Sequence, residues 1–430
     1  MLFIISILFI FLIFFTYTRK LDHTSKWFIL SFQILWMLIL CFSTTRPYGL
    51  YLPSDYTYYL LLINVFSFSI GFILNGRKKF IQPDLSLAEY DVVKILDKNI
   101  IKICIIVGCI ISIYYFTIFL AAASLSSSLG DVRMDFYSGE LYGPFYDTIN
   151  GLFLNPLQII SYPLAAFAVY KKKWIAIPLL VFLVCYNSLA GGRIGYVKVF
   201  YSFIFAIICI KTLTFKRFSG LLIGACILFI GISYVTAERG KTSDNVSEQI
   251  EDGMDETLEH IATYTCGATV AFDYALEDNY LEQVGGYSYG GLTATSLLHL
   301  TYIVSNKLGF PFEQPIIRLA PIKQDKWIKV SQSRSFNALY TAVLFFYLDF
   351  GIAGVIFIPF LLGLLVRFII NQFLKYPNIW MLTIVNYIFI LTLTSTTDFS
   401  LRDFSSLVVL VILYIIGTKH RKRQHLIINY

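Results

Sequence analysis

Arg133, Arg193, Arg239, Arg318, Arg334 and Arg402 stand at the ends of long apolar blocks or in the connections between them. A planar guanidinium offers paired N–H donors to phosphate or carboxylate oxygens and stays charged at any working pH. Arginines so placed either hold an anion or are ordinary loop residues that snorkel to lipid headgroups. Arg193 lies in Ala190-Gly191-Gly192-Arg193, where the glycines let a ligand come close to the backbone. Arg334 shortly precedes an apolar block. His299, in Ser296-Leu297-Leu298-His299-Leu300, is either a general base for a hydroxyl or a core histidine bonded to a backbone carbonyl. Asp349, the main ionisable residue inside an apolar block, is either a base or the partner of an arginine such as Arg193 or Arg334.

Other chemistries lack their usual carriers. The chain has no GxxxxGK[ST] phosphate loop, no HExxH, no GxSxG and no Gly-rich dinucleotide fingerprint. An aspartate pair for a divalent metal and a nucleotide sugar is also missing, although Asp131/Asp135 and Asp398/Asp403 are loosely paired, so transferase chemistry is expected to run without a metal or other cofactor. Ionisable groups inside the apolar blocks are too sparse for the relay of an ion-driven carrier. Of the seven cysteines only Cys266 falls in a polar region, and no disulfide framework or CxxC site follows.

The elements that position these residues are membrane helices. With 57% hydrophobic, 17% aromatic and 14% charged residues in 430, the chain has too little polar surface to cover a soluble core. Its apolar blocks run to roughly 17–25 residues, the length a helix needs to cross about 30 Å of hydrocarbon. They fall at 2–17, 27–42, 56–74, 100–122, 152–170, 174–189, 195–210, 218–235, 338–366, 379–393 and 404–417. The expected fold is therefore all-α and polytopic, with about eleven transmembrane helices in a single unit over 1–430.

The net charge of +7 does not point to nucleic acid, because the basic residues are scattered over short connections. They report topology instead. Arg19, Lys20, Lys26, Lys94, Lys98, Lys102, Lys171, Lys172, Lys173, Arg367, Lys375 and the basic tail all fall on one side if the N-terminus is outside, and by the positive-inside rule that side is cytoplasmic. The large segment 236–337 then lies outside, between spans 8 and 9. It opens with an acidic surface helix at 243–260 and turns apolar and aromatic over 264–308, so it must pack on itself or lie on the membrane surface.

Tyr264-Thr265-Cys266-Gly267-Ala268-Thr269-Val270-Ala271-Phe272-Asp273, then Tyr287-Ser288-Tyr289-Gly290-Gly291-Leu292, then Asn337-Ala338-Leu339-Tyr340-Thr341 leading to Tyr347-Leu348-Asp349-Phe350-Gly351-Ile352-Ala353-Gly354, resemble in this order the Wzy-type O-antigen repeat-unit polymerases. The similarity is clearest over 264–363. It implies a multi-pass protein working at the periplasmic face of the bacterial inner membrane, where the charge pattern puts the N-terminus in the periplasm and the C-terminus in the cytoplasm. Such a protein transfers a growing glycan from undecaprenyl pyrophosphate to the next lipid-linked repeat, with membrane lipids and a chain-length regulator as further partners. It also implies that outer arginines hold the pyrophosphate: Arg193 and Arg334 first, then Arg133, Arg318 and Arg402, with Asn337 and Tyr340 contributing to substrate binding. His299, Asp349 or the outer carboxylate Glu140 is then the expected base. An O-antigen ligase shares the donor chemistry, and a flippase is a third reading. Aromatic side chains of the outer segment fit interfacial belts or stacking on sugar rings equally well.

Overall fold

An apolar run in lipid can satisfy its backbone N–H and C=O groups only within its own segment, which favours helix. The computed structural model describes the residues outside 75–85, 127–131, 133–134, 137–138, 190–193, 211–245, 311–312, 314, 320–327, 333, 337–339, 376, 399–403 and 429–430. Each expected apolar block within the described residues is helical, and the block at 218–235 lies outside them. The longer described helices are α1 (Leu2–Thr18), α2 (His23–Thr44), α3 (Asp55–Leu74), α4 (Ser86–Leu96), α5 (Asn99–Leu125), α6 (Phe145–Tyr170), α7 (Ala176–Ser188), α8 (Ile194–Ile210), α9 (Val246–Glu277), α10 (Thr295–Lys307), α11 (Ala342–Lys375), α12 (Ile379–Thr394) and α13 (Phe404–Ile428). Five of them, α2, α3, α5, α6 and α11, are long and apolar enough to cross a membrane. The described strands are a two-residue antiparallel pair, β1 (Ile328–Lys329) and β2 (Ser335–Phe336). The protein is thus an all-α membrane protein.

The structure departs from the sequence reading at three elements. Residues 86–96, expected as connection, form α4, whose Val92 and Leu96 are fully or almost fully buried. α11 continues past the expected end at 366, so Arg367 lies within a helix and not in a connection. The acidic helix expected at 243–260 does not stop there. It runs on as α9, and its small residues Ala262, Cys266, Ala268, Ala271 and Ala275 are buried. Cys266 therefore sits in a packed interior, where burial pushes its thiol up to about 11.

The chain divides into two units. The first comprises Met1–Ile81, Leu258–Asn371 and Leu391–Leu407. In it Gln33, fully buried on α2, donates its Nε2 to Thr16 Oγ1 (2.9 Å) on α1 and Ser69 Oγ (3.1 Å) on α3, so one amide ties three helices together. At one end of the unit Arg367 donates to Asp22 in the α1–α2 turn (2.9 Å), and Asp22 also caps α2 through Ser25 N. At the other end Asp273 of α9 accepts from Ser54 Oγ (2.5 Å) and Thr57 Oγ1 (2.6 Å) before and within the first turn of α3. There too the β1–β2 hairpin is bonded to the α2–α3 connection through Tyr51 N and Val330 O (2.8 Å).

The second unit comprises Gln82–Thr257, Gln372–Ile390 and Val408–Tyr430. Polar pairs again link its helices: Gln158 with Asn187 (2.7 Å), Tyr186 with Asn150 (2.7 Å) and Ser202 with Asn386 (3.2 Å). Asp97 and Lys173 form an exposed ion pair at 3.0 Å, and Tyr142 donates to the Leu189 carbonyl at 3.2 Å.

Two glycines set the contact between α3 and α11. A Cβ on Gly71 would lie 2.1 Å from the Phe360 carbonyl oxygen, and one on Gly363 would lie 2.2 Å from that of Phe68. The opposing atoms are backbone and cannot rotate away, so only glycine permits this approach. Gly71→Ala and Gly363→Ala are each expected to destabilise the protein by about 1–3 kcal/mol, read as a lower midpoint of thermal unfolding in detergent. Gly151→Ala, where a Cβ meets nothing within 4 Å, should leave the midpoint unchanged.

Candidate functional site

Helix α11 is broken near its start. Phe350 (φ −146°, ψ 19°) and Gly351 (φ 61°, ψ −142°) leave helical geometry, in the segment Tyr347-Leu348-Asp349-Phe350-Gly351. A break deprives nearby carbonyls of their helical partners, and in lipid such groups need partners from elsewhere in the protein. The segment 287–292 supplies them: Ser288 N donates to Leu348 O (3.1 Å) and Tyr289 N to Asp349 O (3.2 Å). The Asp349 side chain completes the joint. It is 0% exposed; Oδ1 accepts from Ser288 Oγ (2.5 Å) and Leu292 N (2.9 Å), and Oδ2 from Thr293 N (2.8 Å).

Glycine is required on both sides of this joint. Gly351 occupies the left-handed region, and a Cβ there would lie 2.8 Å from the Tyr287 hydroxyl; Gly290 (φ 91°) faces the Phe350 ring. Two segments separated by about 60 residues, each part of the pattern quoted above, are thus brought together. Asp349 makes no ion pair among the described residues, so the expected partnership with Arg334 is not formed. Its oxygens are occupied by donors of its own fold and out of reach of solvent, which makes it a positioning group that sets the 287–293 loop.

Arg334 is paired elsewhere. On the β1–β2 hairpin, half-buried, it donates Nε to Glu259 Oε1 (2.8 Å) and Nη2 to Glu259 Oε2 (2.9 Å), a two-pronged match of fork to carboxylate. Glu259, 75 positions away on α9, gives no sequence signal of this role. Arg318 is exposed and bonds Glu313 at 3.0 Å, and its Nη1 would lie 3.4 Å from a Cβ on Gly285, so it flanks the loop that Asp349 holds. Glu259 presents two oxygens to Arg334 much as a phosphate does, so that fork is pre-shaped for an anion, whereas Arg318 meets only Oε2 of Glu313.

The other described candidates are Tyr340, His299 and Glu140. Tyr340 is 1% exposed and shares a 3.1 Å hydroxyl contact with Tyr280. That position suits packing, against the expectation that Tyr340 touches substrate. His299 on α10 is half-buried between the rings of Tyr302 (6.0 Å) and Phe404 (5.1 Å). Glu140 is exposed and belongs to the second unit. Arg133, Arg193, Arg239, Asn337 and Arg402 lie outside the described residues. Among the described residues no group of His, Cys, Asp and Glu is arranged to hold a metal ion.

Comparison with protein-family models, with curated protein sequences and with solved structures returned no match.

Asp349→Asn puts an NH2 group against one of three donors and is expected to destabilise the protein by about 2–3 kcal/mol. The check is a lower unfolding midpoint together with faster proteolytic cleavage within 284–293. An unchanged midpoint and cleavage rate would show that the carboxylate does not hold the loop.

Proposed function

We propose that the chain is a glycosyltransferase of the bacterial inner membrane that joins undecaprenyl-pyrophosphate-linked oligosaccharide repeats on the periplasmic side. The observation that carries this reading is the joint at Asp349. Two segments that resemble the repeat-unit polymerases, 287–292 and 347–354, meet there through five hydrogen bonds, and Thr293 N just beyond adds a sixth. Arg334 is held at the same end of the first unit by the hairpin bonded to the α2–α3 connection. The reading includes about eleven spans, a periplasmic N-terminus, a cytoplasmic C-terminus and a periplasmic segment 236–337. In support, Asp22 and Arg367, both on the basic side of the charge pattern, touch each other at the opposite end of α11 from Asp349.

The chemistry is a substitution at the donor's anomeric carbon. An acceptor hydroxyl oxygen bonds to that carbon, the bond from carbon to pyrophosphate oxygen breaks, and undecaprenyl pyrophosphate leaves with the electron pair. The hydroxyl proton passes to a base, for which His299 is the candidate in the first unit and Glu140 in the second. Pyrophosphate is already a good leaving group, so the transition state needs charge stabilisation more than acid. Guanidinium groups supply it: Arg193 and Arg334, the latter once Glu259 yields its place, with Arg318 beside the loop and Arg133 and Arg402 as the further ligands.

Deletion of the gene, read on a glycan gel, is expected to leave a single repeat attached to its acceptor and no long chains. Bare acceptor would instead favour a ligase or a flippase. Complementation with Arg334→Lys or Arg193→Lys, which keep the charge and lose the fork, should shorten the chains at least tenfold at unchanged protein abundance. Normal ladders from both would reject these arginines as pyrophosphate ligands. Purified protein supplied only with the lipid-linked repeat, without nucleotide, should extend it.

A further inference from the structure

The Asp349 joint presents aromatic rings outward. Tyr289 is 78% exposed, Tyr287 44% and Phe350 41%. Tyr289 lies 6.2 Å from Phe350 and 6.4 Å from Tyr287 between ring centroids, each pair edge to face. Edge-to-face neighbours leave the broad face of at least one ring uncovered.

Two features separate this cluster from ordinary surface aromatics. Tyr289 has φ +48°, in the left-handed region that a residue with a Cβ enters at a cost of about 1 kcal/mol or more. A glycine stands next to it at 290, so the strain falls on the one position of the turn that carries the exposed ring. Phe350 likewise owes its direction to the helix break, and both are fixed from behind by Asp349 and by the two backbone bonds to Leu348 and Asp349. About sixteen residues, roughly 24 Å of helix, separate Gly351 from Arg367 along α11. The rings therefore stand near the boundary of the hydrocarbon layer opposite the Asp22–Arg367 pair.

Aromatic residues at that level commonly anchor a protein in the headgroup region. Anchoring, however, needs only an amphipathic ring at about the right depth, and any relaxed backbone provides it. A strained backbone with a rigid three-sided buttress fixes a ring's orientation, and orientation matters when a flat partner must lie on its face. A pyranose presents such a face in its axial C–H bonds, while its hydroxyls reach outward to donors such as the Tyr287 hydroxyl. The guanidinium of Arg318 flanks the same loop, which suits a sugar carried on an anionic group.

We propose that Tyr287, Tyr289 and Phe350 form a binding platform for a sugar ring of the lipid-linked glycan. This rests on the glycosyltransferase reading for its ligand. The variants are Tyr289→Leu, which keeps an apolar anchor and removes the π-face, Tyr289→Trp, which keeps both, and Tyr289→Gly, which removes the ring and the backbone strain. In a gene-deletion host, Leu and Gly should reduce long chains at least tenfold, and Trp should stay within twofold of wild type, all at equal abundance. The Gly variant should unfold at a higher temperature than wild type while failing to extend chains. Full chain length with Leu would show an anchor in lipid and overturn the platform while leaving the transferase reading intact.

A second readout separates the two ideas. Purified wild-type and Leu variant in phosphatidylethanolamine–phosphatidylglycerol nanodiscs are compared by saturation-transfer NMR, with water-soluble glycan released by mild acid from the host's own envelope as the probe. Transfer to wild type that is lost in the Leu variant sustains the platform even if the wild-type gene fails to restore chains, which would count against the transferase reading alone. No difference between the two overturns the platform.

Discussion

A carboxylate can be withdrawn wholly from water only where donors meet it on every side that water would have occupied. Asp349 satisfies that condition with one hydroxyl and two backbone amides from a single loop. The consequence runs in both directions. The loop 287–293 acquires one conformation because its amides must converge on the carboxylate, and α11 tolerates its break because the loop takes up the carbonyls the break releases. Neither half is stable in that geometry without the other, since each leaves buried polar groups that the other satisfies.

What the joint presents follows from its construction. Rigid backing with a strained backbone at Tyr289 and a helix break at Phe350 and Gly351 is an arrangement for aiming side chains, and the rings it aims are exposed. The arginines obey a related logic. Arg334 is held in a two-pronged contact with Glu259, so its fork is already oriented. On the proposed reading, ordering it again on binding would lose little entropy, and competition with the carboxylate would favour a ligand of higher charge such as a diphosphate.

Much of the fold was legible in the sequence because hydropathy is a local property. Block length, apolar content and charge at the flanks each depend on neighbours in the chain, and every described block is helical. The misjudged elements were those whose burial depends on distant partners. α4 carries too mixed a composition to read as packed, and α9 looked like surface because its acidic first half obscured the small buried residues that follow. Arg367 looked like a basic flank because nothing near it in sequence announces Asp22, 345 positions away.

The candidate site divides in the same way. Residue type alone marked the arginines, His299 and Asp349 as able to do chemistry. Only the folded chain decided that Asp349 meets Ser288, Leu292 and Thr293 and no arginine, that Glu259 fills the Arg334 fork, and that Tyr340 is turned inward. The reason is physical. Membrane insertion is governed by the sum of local transfer free energies, which a sequence states residue by residue. A polar contact inside the protein is governed by donor and acceptor positions good to a fraction of an ångström, and those positions exist only once separate segments have packed together.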